Sequence, residues 1–326
     1  MTDHISHTKK FAKIEELHEI ILPILERSTE HLHKSESPME FQSLTHQIMN
    51  LIQGCVNIDM VIQARSLSPK NEQEKPILHY HTQHLFDSGY VAKTILGIRK
   101  ITEDEATAPH RAVYSFPTLL FHLKSYREYL DIEGWTYLVA LSQYPYLSTH
   151  GLGHKIFISK ANTRDTSIYT QITTYRPIKT NDKDIKHGDG VSYFLSDLKK
   201  IISVVGNRYK HAADKIYAHA ADRQTWGSAD NVFIKRTFAE YSTDILLLMR
   251  IHHMLYVLII GNDICYTAHP MSYGLAENFN LSSESVKHVN NHEHQFCNNI
   301  RNMSIEAEQM LRDLPRFQEF VTIHKT

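Results

Sequence analysis

Turn-forming residues are scarce in this chain. Its 12 glycines and 10 prolines in 326 residues make up about 7% of the sequence, against a usual share of roughly 12%. That shortage argues against a many-stranded sandwich or barrel and for long helices. Cysteine is scarcer still: Cys55, Cys265 and Cys297 are odd in number and far apart. They make no disulfide framework, and a reducing cytoplasm is the expected compartment. Net charge is also missing, at −1 with neutral histidines, so no overall field holds nucleic acid or an anionic membrane non-specifically. The stretch from Met1 to Lys13 is polar and lacks the apolar core of a signal peptide. The most apolar run, Ile245 to Gly261, carries Arg250, His252 and His253 in its middle. It reads as a buried helix, and no membrane partner is expected.

What the chain has instead is histidine, 23 residues of it. Apolar residues at 42% and charged residues at 22% are the composition of a soluble globular protein. Helical spacing of apolar residues begins at Phe11, Ile14, Leu17, Ile21 and Leu25, with Pro23 the one interruption. It resumes from Phe41 to Ile62, then across Ile77–Lys100 and Ser115–Leu130. The segments His154–Ala161 and Thr166–Tyr175 are rich in Ile, Phe, Thr and Tyr around a polar Asn162–Asp165 turn, which predicts a β-hairpin. Helices are expected again over Ser192–Ala221, Asn231–Asn262 and Ser282–Leu314, the last capped by Ser282 with Glu284 and Ser285. The expected fold is therefore all-α: a bundle of about seven long helices with a small β-hairpin insertion near 154–175. It reads as one domain over 1–326, with N-terminal helices in 1–145, the hairpin and a loop in 146–190, and further helices in 191–326.

The most informative stretch runs from Arg208 to Asp222. On a helix, Arg208, His211, Lys215, His219 and Asp222 share a stripe about 80° wide. Val205, Tyr209, Ala212, Ile216 and Ala220 fill the neighbouring sector and would face the core. A stripe at that border can hold polar groups partly desolvated beside a groove.

The sequence Lys215-Ile-Tyr-Ala-His219, with Asp214 before it and Asp222 after it, resembles the signature helix of the HEPN superfamily. It is most similar to the abortive-infection branch, whose members often read Arg-Asp-Lys-x-x-Ala-His. The upstream Ala92–Lys100 segment, its acidic follow-on, and the long helix after Asn231 are similar to elements flanking that motif. The resemblance implies a helical, dimeric, metal-independent endoribonuclease of toxin or phage-defence type, needing no cofactor. Its partners would be RNA or a nucleotide, a second copy of the chain, and an antitoxin or other protein. His219 matches the family histidine and would act as general acid/base. Asp214 matches the polar residue that follows the family arginine, while Ala213 stands in the arginine's own place. The cation would then come from Lys215, one turn from His219, or from Arg208 of a second protomer. His211, Lys210 and Asp222 would contact RNA. A HEPN-like scaffold that has lost catalysis and binds RNA, nucleotide or protein is the alternative implied by Ala213.

Other histidine groups offer different chemistry. His79, His81 and His84, with Asp87 a turn on, could hold zinc in a metal-dependent enzyme. His288, His292 and His294 beside Glu293 offer a second set. Neither has the order of a metalloprotease helix, and a histidine-rich composition yields such clusters by chance. His252 and His253 are adjacent, so at most one is expected to face the core, as a hydrogen-bonded buried histidine. Arg27 and His33 have the arginine-to-histidine spacing without its context. Trp135 and Trp226 read as packing anchors.

Overall fold

A computed structural model describes residues 7–26, 43–68, 80–103, 114–143, 166–177, 189–219, 237–266 and 279–325. The side chains of 7–8, 80–86, 189 and 215–219 are outside that description. The described residues contain ten α-helices and no strand. In chain order these are α1 (His7–Leu25), α2 (Leu44–Leu67), α3 (Tyr80–Thr102), α4 (Phe116–Ser125), α5 (Ile132–Gln143), α6 (Ser167–Thr173), α7 (Asp189–His219), α8 (Phe238–Ile260), α9 (Ser283–Arg312) and α10 (Leu314–His324).

The all-α expectation holds, with two corrections. The second half of the expected hairpin, Thr166–Tyr175, is helix α6. Its first half, His154–Ala161, lies outside the described residues. Helix wins over β-propensity here because Ile168, Tyr169, Ile172 and Tyr175 bury one helical face. The threonines on the open side return their hydroxyls to the backbone, Thr174 Oγ1 to the Thr170 carbonyl at 2.7 Å. The count of about seven long helices also changes. The expected helix over 115–130 ends at Ser125 and gives way to a 3₁₀ turn at Arg127–Tyr129. The expected helix to Leu314 stops at Arg312, where Asp313 caps α10 and accepts from the Arg316 amide. Pro315 in the first turn of α10 fits a new helix start, not the interior of an old one.

Caps fix the remaining boundaries. Ser43, Ser115 and Ser282 each accept an amide of the first turn of α2, α4 and α9. Thr237 and Glu240 form a reciprocal capping box at the start of α8. Gly261 closes the other end in the left-handed region, at φ 75°, which costs glycine nothing.

Helix α8 is the axis of the fold. It packs against α2, α5 and α9 and touches α7. By length and composition it would span a membrane, yet 83% of its most apolar window is buried by the other helices. Polar side chains of α5 cap its last carbonyls: Ser142 donates to Ile259 at 3.0 Å and Gln143 to Ile260 at 2.8 Å. Helix α7 lies against α3, α4 and α10. It comes close to α3 at Gly206, where a Cβ would sit 2.7 Å from Thr102 Oγ1. The C-terminal helix locks on through Phe317, whose ring lies 4.8 Å from Phe194 of α7 and 5.3 Å from Tyr175.

Candidate functional site

Helix α7 runs unbroken for 31 residues through the motif. Val205, Tyr209 and Ala212 are buried as the spacing predicts. Arg208, Lys210, His211 and Asp214 are exposed beside them. Ala213, in the place of the family arginine, is fully buried. This packing therefore turns that position into the core, where a guanidinium would need a buried partner. Lys215 and His219 continue the helix, and their side chains are outside the described residues. At 1.5 Å per residue, His219 lies about 16 Å along the axis from Arg208. Asp222, Arg27, His33, His79 and Trp226 fall outside the described residues.

Arg208 is committed to a contact that the sequence does not advertise. Its Nη1 donates to Asp244 Oδ1 on α8 at 2.6 Å, and the Tyr209 hydroxyl donates to Asp244 Oδ2, also at 2.6 Å. The Asp244 side chain is 3% exposed and that of Arg208 is 36% exposed. A buried carboxylate is thus held by a guanidinium that still reaches solvent. On α8, Arg250 donates to Glu306 of α9 at 2.9 Å, while its buried Nε has no hydrogen-bond partner. His324, at the end of α10, lies in the field of both arginines. Burial pushes its imidazole below the usual range, Arg250 and Arg208 push the same way, and Asp244 opposes them. Four helices thus meet around two ion pairs and a histidine held towards its neutral form. Asp244 is the one acid beyond the first turn of an otherwise apolar helix, and that alone hints at this group. A lone carboxylate in a core helix demands a partner.

The expected histidine clusters lie only partly among the described side chains. His81 and His84 lie in the first turns of α3 with side chains outside the description. Asp87 accepts from Arg65 at 2.9 and 3.1 Å. His292 Nε2 lies 2.8 Å from Asp59 on α2, while His288 and His294 are exposed and Glu293 is buried.

His252 and His253 correct the reading of α8. Both are buried, at 0% and 2% exposure, because α8 is enclosed on every side over residues 251–260. His252 is fully partnered: Nδ1 lies 2.7 Å from the Tyr266 hydroxyl and Nε2 lies 3.0 Å from Thr45 Oγ1. Burial pushes its imidazole down to about 3. His253 differs, because its Nδ1 is buried without a hydrogen-bond partner. A ring nitrogen of His253 and carboxylate oxygens of Asp263 and Glu308 lie within 4.8 Å of one another. Among the described residues this is the one such group of three. Trp135 is a fully buried anchor stacked at 6.3 Å on Tyr169. No protein family, curated protein or solved structure matches the chain.

Proposed function

We propose that this chain is a cytoplasmic, HEPN-like protein that acts on RNA as a metal-independent endoribonuclease of toxin or phage-defence type, working as a homodimer. The observation that carries the reading is the face of α7. Arg208, Lys210, His211 and Asp214 stand exposed along one helix whose other side is core, and the helix continues without a break to His219. In this reading His219 takes the proton of a ribose 2′-hydroxyl. The 2′-oxygen attacks the adjacent phosphorus in line, the bond to the 5′-oxygen breaks, and the leaving oxygen takes up the proton that His219 removed, directly or through water. Lys215 in the same chain, or Arg208 across a two-fold axis, neutralises the charge that builds on the phosphate. Asp214 orients the site, and His211, Lys210 and Asp222 steady the RNA. An antitoxin or another protein partner would cover the same face.

The test is cleavage of labelled RNA in EDTA by the wild type and by His219→Ala. Loss of cleavage in the variant supports the assignment, and unchanged cleavage removes it. Mixing Arg208→Ala with His219→Ala distinguishes the source of the cation. If Arg208 acts across the dimer, each mixed dimer regains one intact site, and the mixture recovers roughly a quarter of wild-type activity.

Ala213 favours a second reading. Its complete burial leaves no arginine at the family position, as in a scaffold that binds RNA, nucleotide or protein without cutting. RNA retained by the wild type, released by Lys210→Ala with His211→Ala, and never cleaved is the outcome that selects it.

A further inference from the structure

Beyond Gly261 the chain doubles back along the helix it has just left. Tyr266 returns to His252, with 2.7 Å between its hydroxyl and Nδ1, and Asp263 arrives beside His253. Glu308 approaches the same point from α9, completing a group whose ligating atoms lie within 4.8 Å of one another. Two neighbouring histidines of α8 thus meet the returning segment in different ways. His252 has a partner for each nitrogen. His253 is 2% exposed and its Nδ1 has none, an arrangement that a folded core does not tolerate cheaply.

We propose that His253, Asp263 and Glu308 bind a divalent first-row transition-metal ion. One imidazole and two carboxylates form a nitrogen–oxygen donor set without thiolate, which suits zinc, manganese or iron(II). Metal–ligand distances of about 2.0–2.2 Å put two ligands of one ion up to roughly 4 Å apart, so the group needs little closure. Arg312 already holds one carboxylate oxygen of Glu308 at 2.8 Å, which orients the other and fixes the ligand from behind. Burial, then the charge of Asp263, raises the Glu308 carboxyl above its ordinary range, and a bound cation would relieve that opposition. Asp263 is exposed, so the ion would complete its coordination with water on that side. The ion would join α8, the returning segment and α9. None of its ligands belongs to the proposed RNA site, so either assignment can fail without the other.

The test uses the full chain, stripped with EDTA, dialysed, and titrated with Zn²⁺ or Mn²⁺ by calorimetry, with Mn²⁺ also followed by electron paramagnetic resonance. One tight equivalent and a higher melting midpoint in its presence are expected. Asp263→Asn and Glu308→Gln keep the shape of each side chain, and each should weaken that equivalent at least about 100-fold while circular dichroism stays native. His288→Gln and His292→Gln, which alter other histidines of α9, should leave it in place. Absence of a tight equivalent overturns the proposal. So does affinity within about threefold of wild type in both carboxamide variants, or loss of the equivalent in His292→Gln.

Discussion

The Arg208 guanidinium and the Asp244 carboxylate form a 2.6 Å ion pair between α7 and α8, one end buried and the other half open to solvent. Tyr209, the next residue, takes the second oxygen of the same carboxylate. Consecutive residues point about 100° apart on a helix, so both reach one acceptor only because Asp244 lies at the seam between their two directions. Removing Arg208 takes its charged partner from a buried carboxylate. Breaking a fully buried pair costs about 3–5 kcal/mol; with the Arg208 side chain 36% exposed, about 1–3 kcal/mol is expected after allowance for solvent screening. Urea unfolding of Arg208→Met should show that loss, and a midpoint equal to wild type would mean the pair contributes nothing to stability.

A second prediction concerns the approach of α3 to α7. Gly206→Ala gains about 0.5–1 kcal/mol of helix propensity. It also places a Cβ 2.7 Å from Thr102 Oγ1 and 3.0 Å from Thr102 Cβ, and overpacking of this kind costs about 1–3 kcal/mol. Net destabilisation is therefore expected. Adding Thr102→Ala removes the nearer atom and should restore part of the loss. A Gly206→Ala protein more stable than wild type would show that the two helices simply move apart.

These two contacts mark where sequence reading stops. The long helices were legible because α1, α2, α7 and α9 have one wet face, and their apolar residues recur at helical spacing. Helix α5 was not, because Trp135, Tyr137, Leu138, Val139 and Leu141 are buried on several sides and leave no period to see. Helix α6 was misread because Thr and Ile favour strands locally, and only packing against α7 and α9 decides otherwise. The α7 stripe could be drawn from spacing alone. The His253 group could not, since it depends on Gly261 reversing the chain and on α9 arriving from 45 residues further along the sequence (Glu308 against Asp263).

Acid should weaken the fold through histidines with buried ring nitrogens, of which His18 on α1 is the cleanest case. Its Nε2 has no hydrogen-bond partner, and burial alone pushes its imidazole below the ordinary value of 6.5. The unfolded chain therefore takes up a proton near that pH while the folded chain resists. The contribution of His18 is complete above about pH 6.5 and is lost as the pH falls below it. Urea midpoints measured at pH 7.5, 6.5 and 5.5 should fall in the wild type and fall less steeply in His18→Leu. Parallel slopes would assign the acid sensitivity elsewhere.

Thiol reactivity should separate the three cysteines. Cys265 is exposed, Cys297 is half-buried and Cys55 is buried. Burial raises the Cys55 thiol to about 11, and burial with the charge of Glu293 raises that of Cys297. The thiolate is the reactive form. With a disulfide reagent near pH 7.5, Cys265 should react first, Cys297 more slowly, and Cys55 only when denaturant unfolds the chain. Three equal fast phases in native protein would contradict the burial of α2 against α8.

The last helix offers the sharpest test of the packing. Helix α10 carries few buried residues, and Phe317 is fully buried against Phe194 and Tyr175. The Tyr175 hydroxyl in turn donates to Asp197 at 2.7 Å, a carboxylate that Lys200 also holds at 2.8 Å. The ring thus props up a polar pair as well as filling space. Phe317→Ala should cost about 3–5 kcal/mol, the range for deleting a buried aromatic ring, seen as a lower urea midpoint with an unchanged slope. Phe121, 60% exposed on α4, serves as the control, since Phe121→Ala should shift the midpoint by no more than about 0.5 kcal/mol. Equal shifts in the two variants would mean that α10 is not docked on α7. A large shift in Phe317→Ala with native circular dichroism over the remaining helices would place that docking among the main supports of the fold.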